Sequence, residues 1–166
     1  FPGLQGGPHD HQTAAIAVAL HEAAQPAFKE YAAQIVKNAK ALAEHLLSAG
    51  FTLISGGTDN HLILVDLSSK NIPGKIAERV LDDVGITVNK NAIPFDTRPP
   101  YDPSGIRIGT PSLTTRGMKE QEVAIIADVM IRVLAAPDDD ALKREAHQTI
   151  KDLCAQFPIY PDLSYV

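Results

Sequence analysis

Only one cysteine, Cys154, occurs in the 166 residues. A lone thiol excludes an internal disulfide framework and any multi-cysteine zinc or iron–sulfur site, and it fits a reducing compartment. No apolar run reaches the length of about eighteen residues that a helix crossing a bilayer needs. Basic residues are not in excess: 15 Lys and Arg stand against 20 Asp and Glu, for a net charge of −5. The balance lacks the basic surplus of a general nucleic-acid binder. The opening stretch, Phe1-Pro2-Gly3-Leu4-Gln5-Gly6-Gly7-Pro8, has neither a basic start nor an apolar core, so it does not read as a signal peptide. A chain that opens in a loop without Met reads as a piece of a longer protein. There is no internal repeat and no low-complexity stretch. What remains is globular composition, with 45% hydrophobic and 21% charged residues. A chain of this length buries roughly 70% of its unfolded surface, enough for a core without metals or disulfides.

Punctuation and periodicity divide the chain. Gly3, Gly6, Gly7 and Pro8 mark an irregular loop, and Asp10 is placed to cap a helix over Ala14–Ala24 that breaks at Pro26. A longer helix is expected from Pro26 to Ser48, with Phe28, Tyr31, Ala32, Ile35, Ala39, Leu42 and Leu46 forming one apolar stripe, and Gly50 as its stop. Phe51–Ile54 reads as a short strand. His61–Leu67 reads as a central strand, covered on both sides because Leu62, Ile63, Leu64 and Val65 are all apolar. A helix over Lys75–Val84 follows, buried through Ile76, Val80, Leu81 and Val84, and Ile86-Thr87-Val88 begins another strand. Residues 89–103 carry Pro94, Pro99, Pro100 and Pro103 and read as a long ordered loop, a length often tied to function. Ser104–Gly109 is a strand, Glu120–Leu134 a helix, and Asp138 to about Gln156 a last helix after Pro137. The expected fold class is α/β: a short sheet with helices on one face, preceded by a helical arm.

Four groups of residues have the chemistry for a site. Gly6-Gly7 ahead of a helix lets backbone N–H groups approach an anion, although a plain glycine turn is the commoner explanation of such a pair. In Ser104-Gly105-Ile106-Arg107-Ile108-Gly109, alternation puts Ile106 and Ile108 on one face and Gly105, Arg107 and Gly109 on the other. That leaves the guanidinium room for a carboxylate or phosphate held by two prongs, or pairs it with a structural carboxylate. Asn89 and Asn91 offer amides able to donate and accept against a planar heterocycle, or simply serve a turn, with Lys90 as a solvated charge. The histidines, His9, His11, His21, His45, His61 and His147, show no helical ligand pair with a carboxylate, so no metal site is expected. His61 reads as a hydrogen-bonded structural residue, Cys154 as a buried small hydrophobe, and Asp138-Asp139-Asp140 as favourable charge at a helix N-terminus.

Taken together, these segments resemble the C-terminal part of serine hydroxymethyltransferases, pyridoxal-phosphate-dependent enzymes of the aminotransferase-like fold (fold type I). The resemblance is carried by Phe1-Pro2 to Pro8 with His11, Asn38-Ala39-Lys40, Ser55-Gly56-Gly57-Thr58 through Asn60-His61-Leu62, Thr87-Val88-Asn89-Lys90-Asn91, Ser104-Gly105-Ile106-Arg107-Ile108-Gly109-Thr110-Pro111 with Thr114 to Gly117, and Phe157-Pro158. It covers essentially the whole chain in order.

The resemblance implies roles for particular residues. Arg107 would hold the α-carboxylate of serine or glycine. Asn91 would bond the pteridine ring of tetrahydrofolate, the one-carbon acceptor. Gly6 and Gly7 would reach the phosphate of pyridoxal 5'-phosphate across a homodimer or higher homo-oligomer. It implies a cytoplasmic enzyme acting on small molecules, with no membrane or nucleic-acid partner. Residues 1–49 would be a loop and helical arm from the end of the large cofactor domain, and 50–166 the small α/β domain. One departure stands out. The family's Schiff-base lysine lies in a Thr-rich His-Lys motif, and none of Lys29, Lys37, Lys40, Lys70, Lys75, Lys90, Lys119, Lys143 and Lys151 sits in such a context. The chain alone is therefore expected to be inactive. Two other readings compete: a piece of another fold type I enzyme, and a stand-alone interaction module without catalysis.

Overall fold

A computed structural model describes residues 1–160. It divides into two compact units, Phe1–Ala33 and a second beginning at Gln34.

In the first unit, α1 (Asp10–Ala23) is an alanine-rich helix with no buried residue. Its apolar residues do not gather on one side, so helix propensity rather than an amphipathic stripe accounts for it. Asp10 is the first helical residue and not the cap. His9 takes the cap position without a side-chain cap bond, and its carbonyl accepts from Gln12 and Thr13 N–H. The carboxylate at Asp10 still lies in the first turn, where the helix dipole favours it. Helix α2 (Pro26–Ser48) starts on proline, which needs no intrahelical N–H partner there. Phe28 and Tyr31 put their rings 5.7 Å apart near its start.

From Gln34 on, the fold is a four-stranded antiparallel sheet with helices on one face. The buried stripe of α2 begins at Asn38 and continues through Ala39, Leu42, Ala43 and Leu46. The anticipated stripe is therefore buried only in its later half; Phe28 remains 45% exposed. Gly50, at φ +76°, ends the helix in a conformation that suits glycine.

The strands are β1 (Thr52–Leu53), β2 (Leu62–Asp66), β3 (Asn89–Asn91) and β4 (Gly105–Gly109), in the order β1-β2-β4-β3. Leu53, Ile63, Val65, Ile106 and Ile108 point into the core. There they meet α3 (Gly74–Asp83), α5 (Glu120–Ala135) and α6 (Asp140–Gln156), while the short α4 (Pro111–Thr115) follows β4. Val80, Leu81, Val84, Val123, Ala127, Met130 and Val133 are wholly buried. α6 starts as expected for an acidic N-terminus: the Asp139 carboxylate accepts from Ala141 and Leu142 N–H at 3.0 Å each.

Two expectations are corrected. β2 is central, but among the described residues of its own unit it is covered on one side only: Leu62 is 37% exposed and Leu64 half-buried, because α3, α5 and α6 pack on the other face. Ile86–Val88 is not a strand. Val88 is buried, and pairing to β4 begins only at Asn89, opposite Arg107.

A buried polar cluster ties α2 to the segment after β4. Asn38, fully buried, donates to Thr114 Oγ1 at 2.9 Å and to the Met118 carbonyl at 3.0 Å, and accepts from Gln34 at 2.9 Å. Thr110 Oγ1 donates to the Ile35 carbonyl at 2.9 Å and Thr114 Oγ1 to the Thr110 carbonyl at 2.8 Å. Every buried side-chain polar atom among the described residues has a partner. This satisfied cluster sets where β4 ends and α4 begins.

Candidate functional site

The face of the sheet opposite the helices carries the site candidates. On β4 the burial pattern alternates, with Ile106 and Ile108 buried and Arg107 and Gly109 exposed. Register places Arg107 between Leu64 of β2 and Asn89 of β3, and Gly105 opposite Asn91. Asn91 is thus the diagonal neighbour of Arg107, a separation of roughly 7–8 Å between Cα atoms. Among the described residues no hydrogen bond or ion pair engages the Arg107 guanidinium, so no structural carboxylate holds it. The Asn91 amide donates to the Ala92 carbonyl at 2.7 Å, which leaves its oxygen turned to other uses.

The room beside Arg107 is unequal. A side chain at Gly109 would meet nothing closer than the His61 carbonyl at 3.5 Å and Pro111 at 3.6 Å. A Cβ at Gly105 would lie 2.7 Å from Ile93 Cγ2, 2.7 Å from the Val65 carbonyl and 2.9 Å from the Asn91 carbonyl. The expected space is therefore present on the Gly109 side and filled by Ile93 on the other. A planar ligand reaching the guanidinium has its open approach from the Gly109 end.

The proline-rich loop after β3 is ordered by one carboxylate. Asp96 accepts from Ser104 Oγ at 2.6 Å, Ser104 N–H at 2.9 Å, Arg98 N–H at 3.0 Å and Ile93 N–H at 3.2 Å. These bonds, the Ser104 hydroxyl foremost, hold the Asp96 carboxyl well below its ordinary value. Arg98 pairs with Asp102 across the loop. Phe95, at φ +59°, stands fully exposed at the turn. Where the loop returns to the sheet, the Gly74 N–H donates to the Pro103 carbonyl at 2.7 Å. A Cβ at Gly74 would lie 2.3 Å from the Gly105 carbonyl, so only glycine fits where α3 meets the base of β4.

Lys90 is not a freely solvated charge. Its ammonium lies 2.6 Å from Glu78 Oε2 and its backbone N–H 3.0 Å from Glu78 Oε1. These two bonds, the side-chain one first, pull the Glu78 carboxyl below its ordinary value. Lys90 points to the helix side, and Asn89 and Asn91 to the open side.

His61 differs from expectation too. Its side chain is exposed and makes no hydrogen bond among the described residues; only its carbonyl is engaged, accepting from Thr110 N–H at 3.2 Å. Cys154 is half-buried against the core. His9 and His11 stack with ring centroids 5.6 Å apart. No group of three or more His, Cys, Asp or Glu among the described residues is arranged to hold a metal ion. No described helix is long and apolar enough to cross a membrane.

Gly6 and Gly7 belong to the first unit. Both are exposed, neither has a positive φ, and a Cβ on either would meet nothing within 4 Å. Among the described residues of the first unit, nothing in the packing requires glycine there.

Sequence reasoning missed the residues that hold the candidates in place. Glu78 and Asn38 act through partners 12 and up to 80 residues away, which no local spacing announces, while Asp96 bonds within eight residues of itself in a loop whose closure no periodicity reports. The one available signal was Gly74 at the start of a helix, where glycine is a poor choice unless something presses on it.

Comparison with known proteins gives the same answer twice. The family model described as serine hydroxymethyltransferase matches residues 1–130. The curated serine hydroxymethyltransferase of Desulfotalea psychrophila (strain LSv54 / DSM 12343) is 52% identical over 166 residues. That match covers 100% of this chain and 39% of the relative's length.

Proposed function

The chain belongs to the serine hydroxymethyltransferase family, and from that premise we propose that it is the C-terminal portion of a pyridoxal-phosphate enzyme that interconverts serine and glycine, with tetrahydrofolate as the one-carbon acceptor. The observation that carries the reading is Arg107: an exposed guanidinium with no protein partner among the described residues, beside Gly109 and in register with Asn89 on an open sheet face. A carboxylate is its natural complement, because the planar fork offers two parallel donors. Held this way, the amino acid is fixed in rotation, which selects the bond to be broken. Asn91, one diagonal step away, meets the pteridine edge of the folate with donor and acceptor atoms on one short side chain.

Gly6 and Gly7 contribute backbone N–H groups to the cofactor phosphate across a subunit boundary, and their lack of neighbours within this chain supports that assignment. Bound pyridoxal phosphate supplies an electron sink for the charge left on the α-carbon. The lysine that carries it lies in the portion of the enzyme outside this chain. The helical arm that completes the large cofactor domain ends within α2, because Leu42, Ala43 and Leu46 pack in the core of the unit that begins at Gln34, and the small domain runs from there. The active unit is a cytoplasmic homodimer or larger homo-oligomer. Leu62 and Leu64, apolar yet uncovered here, fit a sheet face that meets further protein in the complete enzyme.

The test is Arg107→Lys in the complete enzyme. An ammonium cannot reproduce the fork, so use of serine and binding of glycine should fall by about 1.5–3 kcal/mol, with cofactor content unchanged. Serine kinetics equal to those of the parent would end the reading. For the chain by itself, treatment with pyridoxal phosphate and borohydride should label surface lysines only in a scattered, substoichiometric way by mass spectrometry, and serine should not be cleaved. A single stoichiometric adduct would contradict this.

A further inference from the structure

β3 is a three-residue edge strand, hydrogen-bonded on one side only, to β4. The outward N–H groups of such a strand have no ladder partner, and so short a strand contributes little to hold its own register. Here the outward N–H of its middle residue, Lys90, is taken by Oε1 of Glu78 at 3.0 Å, while the ammonium of the same residue is taken by Oε2 at 2.6 Å. One carboxylate on α3 thus grips one residue of β3 at both its backbone and its side-chain end. The pair is partly exposed, with side-chain exposures of 34% for Lys90 and 28% for Glu78, and exposed ion pairs add little to stability. Its geometric effect is larger. Lys90 lies between Asn89 and Asn91, which project to the opposite face, so gripping it sets the height and rotation of both amides without touching either.

We propose that Glu78 is a positioning residue for folate recognition: by clamping Lys90 from the helix side it holds the Asn91 amide in place on the open face. The proposal rests on the reading of Asn91 as the pteridine-binding residue. It predicts selectivity, because Arg107 sits on the five-residue β4, paired on both sides, and does not depend on the clamp.

The test uses the complete, cofactor-loaded enzyme with Glu78→Ala, Glu78→Asp, Glu78→Gln and Asn91→Ala. Three quantities are measured: tetrahydrofolate affinity, glycine affinity, and amide hydrogen exchange in the segment 89–91. Glu78→Ala should weaken tetrahydrofolate binding about tenfold, leave glycine affinity within about twofold, and speed exchange in that segment. Glu78→Gln keeps an oxygen for the Lys90 N–H and should recover most of the loss. Glu78→Asp, one methylene shorter, should show the same selectivity at about threefold, and it decides the matter if Glu78→Ala does not fold. Unchanged tetrahydrofolate affinity in Glu78→Ala, equal losses for both ligands, or no rescue by Gln would each overturn the proposal. Tetrahydrofolate affinity retained in Asn91→Ala would overturn the reading of Asn91 as the pteridine-binding residue and the positioning role with it. A loss in Asn91→Ala without one in Glu78→Ala would overturn the positioning role alone.

Discussion

β4 has two sides, and they answer to different demands. Ile106 and Ile108 point into a core where their neighbours, Ile63 and Val65 across the sheet and the helices beyond, account for their size and character. Gly105, Arg107 and Gly109 point the other way, where a charged fork stands beside Leu64 and Asn89 with no ion-pair partner among the described residues. The covered side is explained by this chain's own folding. The open side is not: a guanidinium without an ion-pair partner among the described residues, an exposed Leu62 and a half-buried Leu64 gain little from the contacts present here. The difference teaches that one strand can be divided, residue by residue, between stability and recognition.

The sharpest way to break that division is to truncate on the covered side. Ile106 is 1% exposed, and Ile106→Ala should cost about 2–5 kcal/mol of folding stability through lost transfer energy and a cavity. Arg107→Ala, one residue along, should change stability by no more than about 0.5 kcal/mol. Urea unfolding of both variants makes the comparison directly, and similar losses would show that the two sides are not separate. On the open side the next effect down is Asn91→Ala in the complete enzyme. It should weaken tetrahydrofolate binding by about 1–2 kcal/mol and leave glycine binding unchanged, read by parallel titration of the two ligands. Equal losses would mean that the loop had collapsed instead.

Much of the covered side was legible in the sequence. Period 3.6 in Ile76, Val80, Leu81 and Val84, glycines at positions 50 and 85, and alternation through Ile106 and Ile108 are local signals, and each reports the core directly. The misplaced strand shows where locality ends. Ile86-Thr87-Val88 has the better strand propensity, yet Asn89-Lys90-Asn91 forms β3, because β4 offers its pairing edge there and Glu78 supplies the outward partner. Arg107 was legible as a candidate because glycine and isoleucine alternate around it. That Ile93 fills the space over Gly105 was not, since it depends on a loop folding back twelve residues in advance of the strand. His61 was misread for a related reason: its place at the start of a central strand suggested a hydrogen-bonded structural role, but its side chain is exposed and makes no hydrogen bond among the described residues.

The smallest expected effect concerns the loop that borders the open side. The bonds from Ser104, Arg98 and Ile93 hold the folded Asp96 carboxyl well below the ordinary carboxylate range, so its contribution to loop order is full above about pH 4 and fades as pH falls below that. Hydrogen exchange at the Ser104 amide should therefore lose protection progressively on acidification from about pH 4 downward, beyond the intrinsic change in rate. Asp96→Asn should be less protected at neutral pH and lack this acid step. A step that persists in Asp96→Asn would assign it to another carboxylate, with Glu78 the first to examine.

Surface loops ordinarily accept extra residues at small cost, since lengthening a flexible closure adds little entropy. The stretch from Ala92 to Pro103 is built differently. Its carboxylate at Asp96 spans Ile93 to Ser104, and its far end is hooked by the Gly74 N–H at a point where even one methyl group would collide with the strand that follows. Its contour length is therefore matched to the gap it crosses. An epitope, a fluorophore or a grafted peptide inserted there would pull on Gly105 and shift the strand beside it. The exposed turn at Asp59 and Asn60, pinned among the described residues by short-range Thr58 and Asn60 side-chain bonds, should accept such cargo with less disturbance.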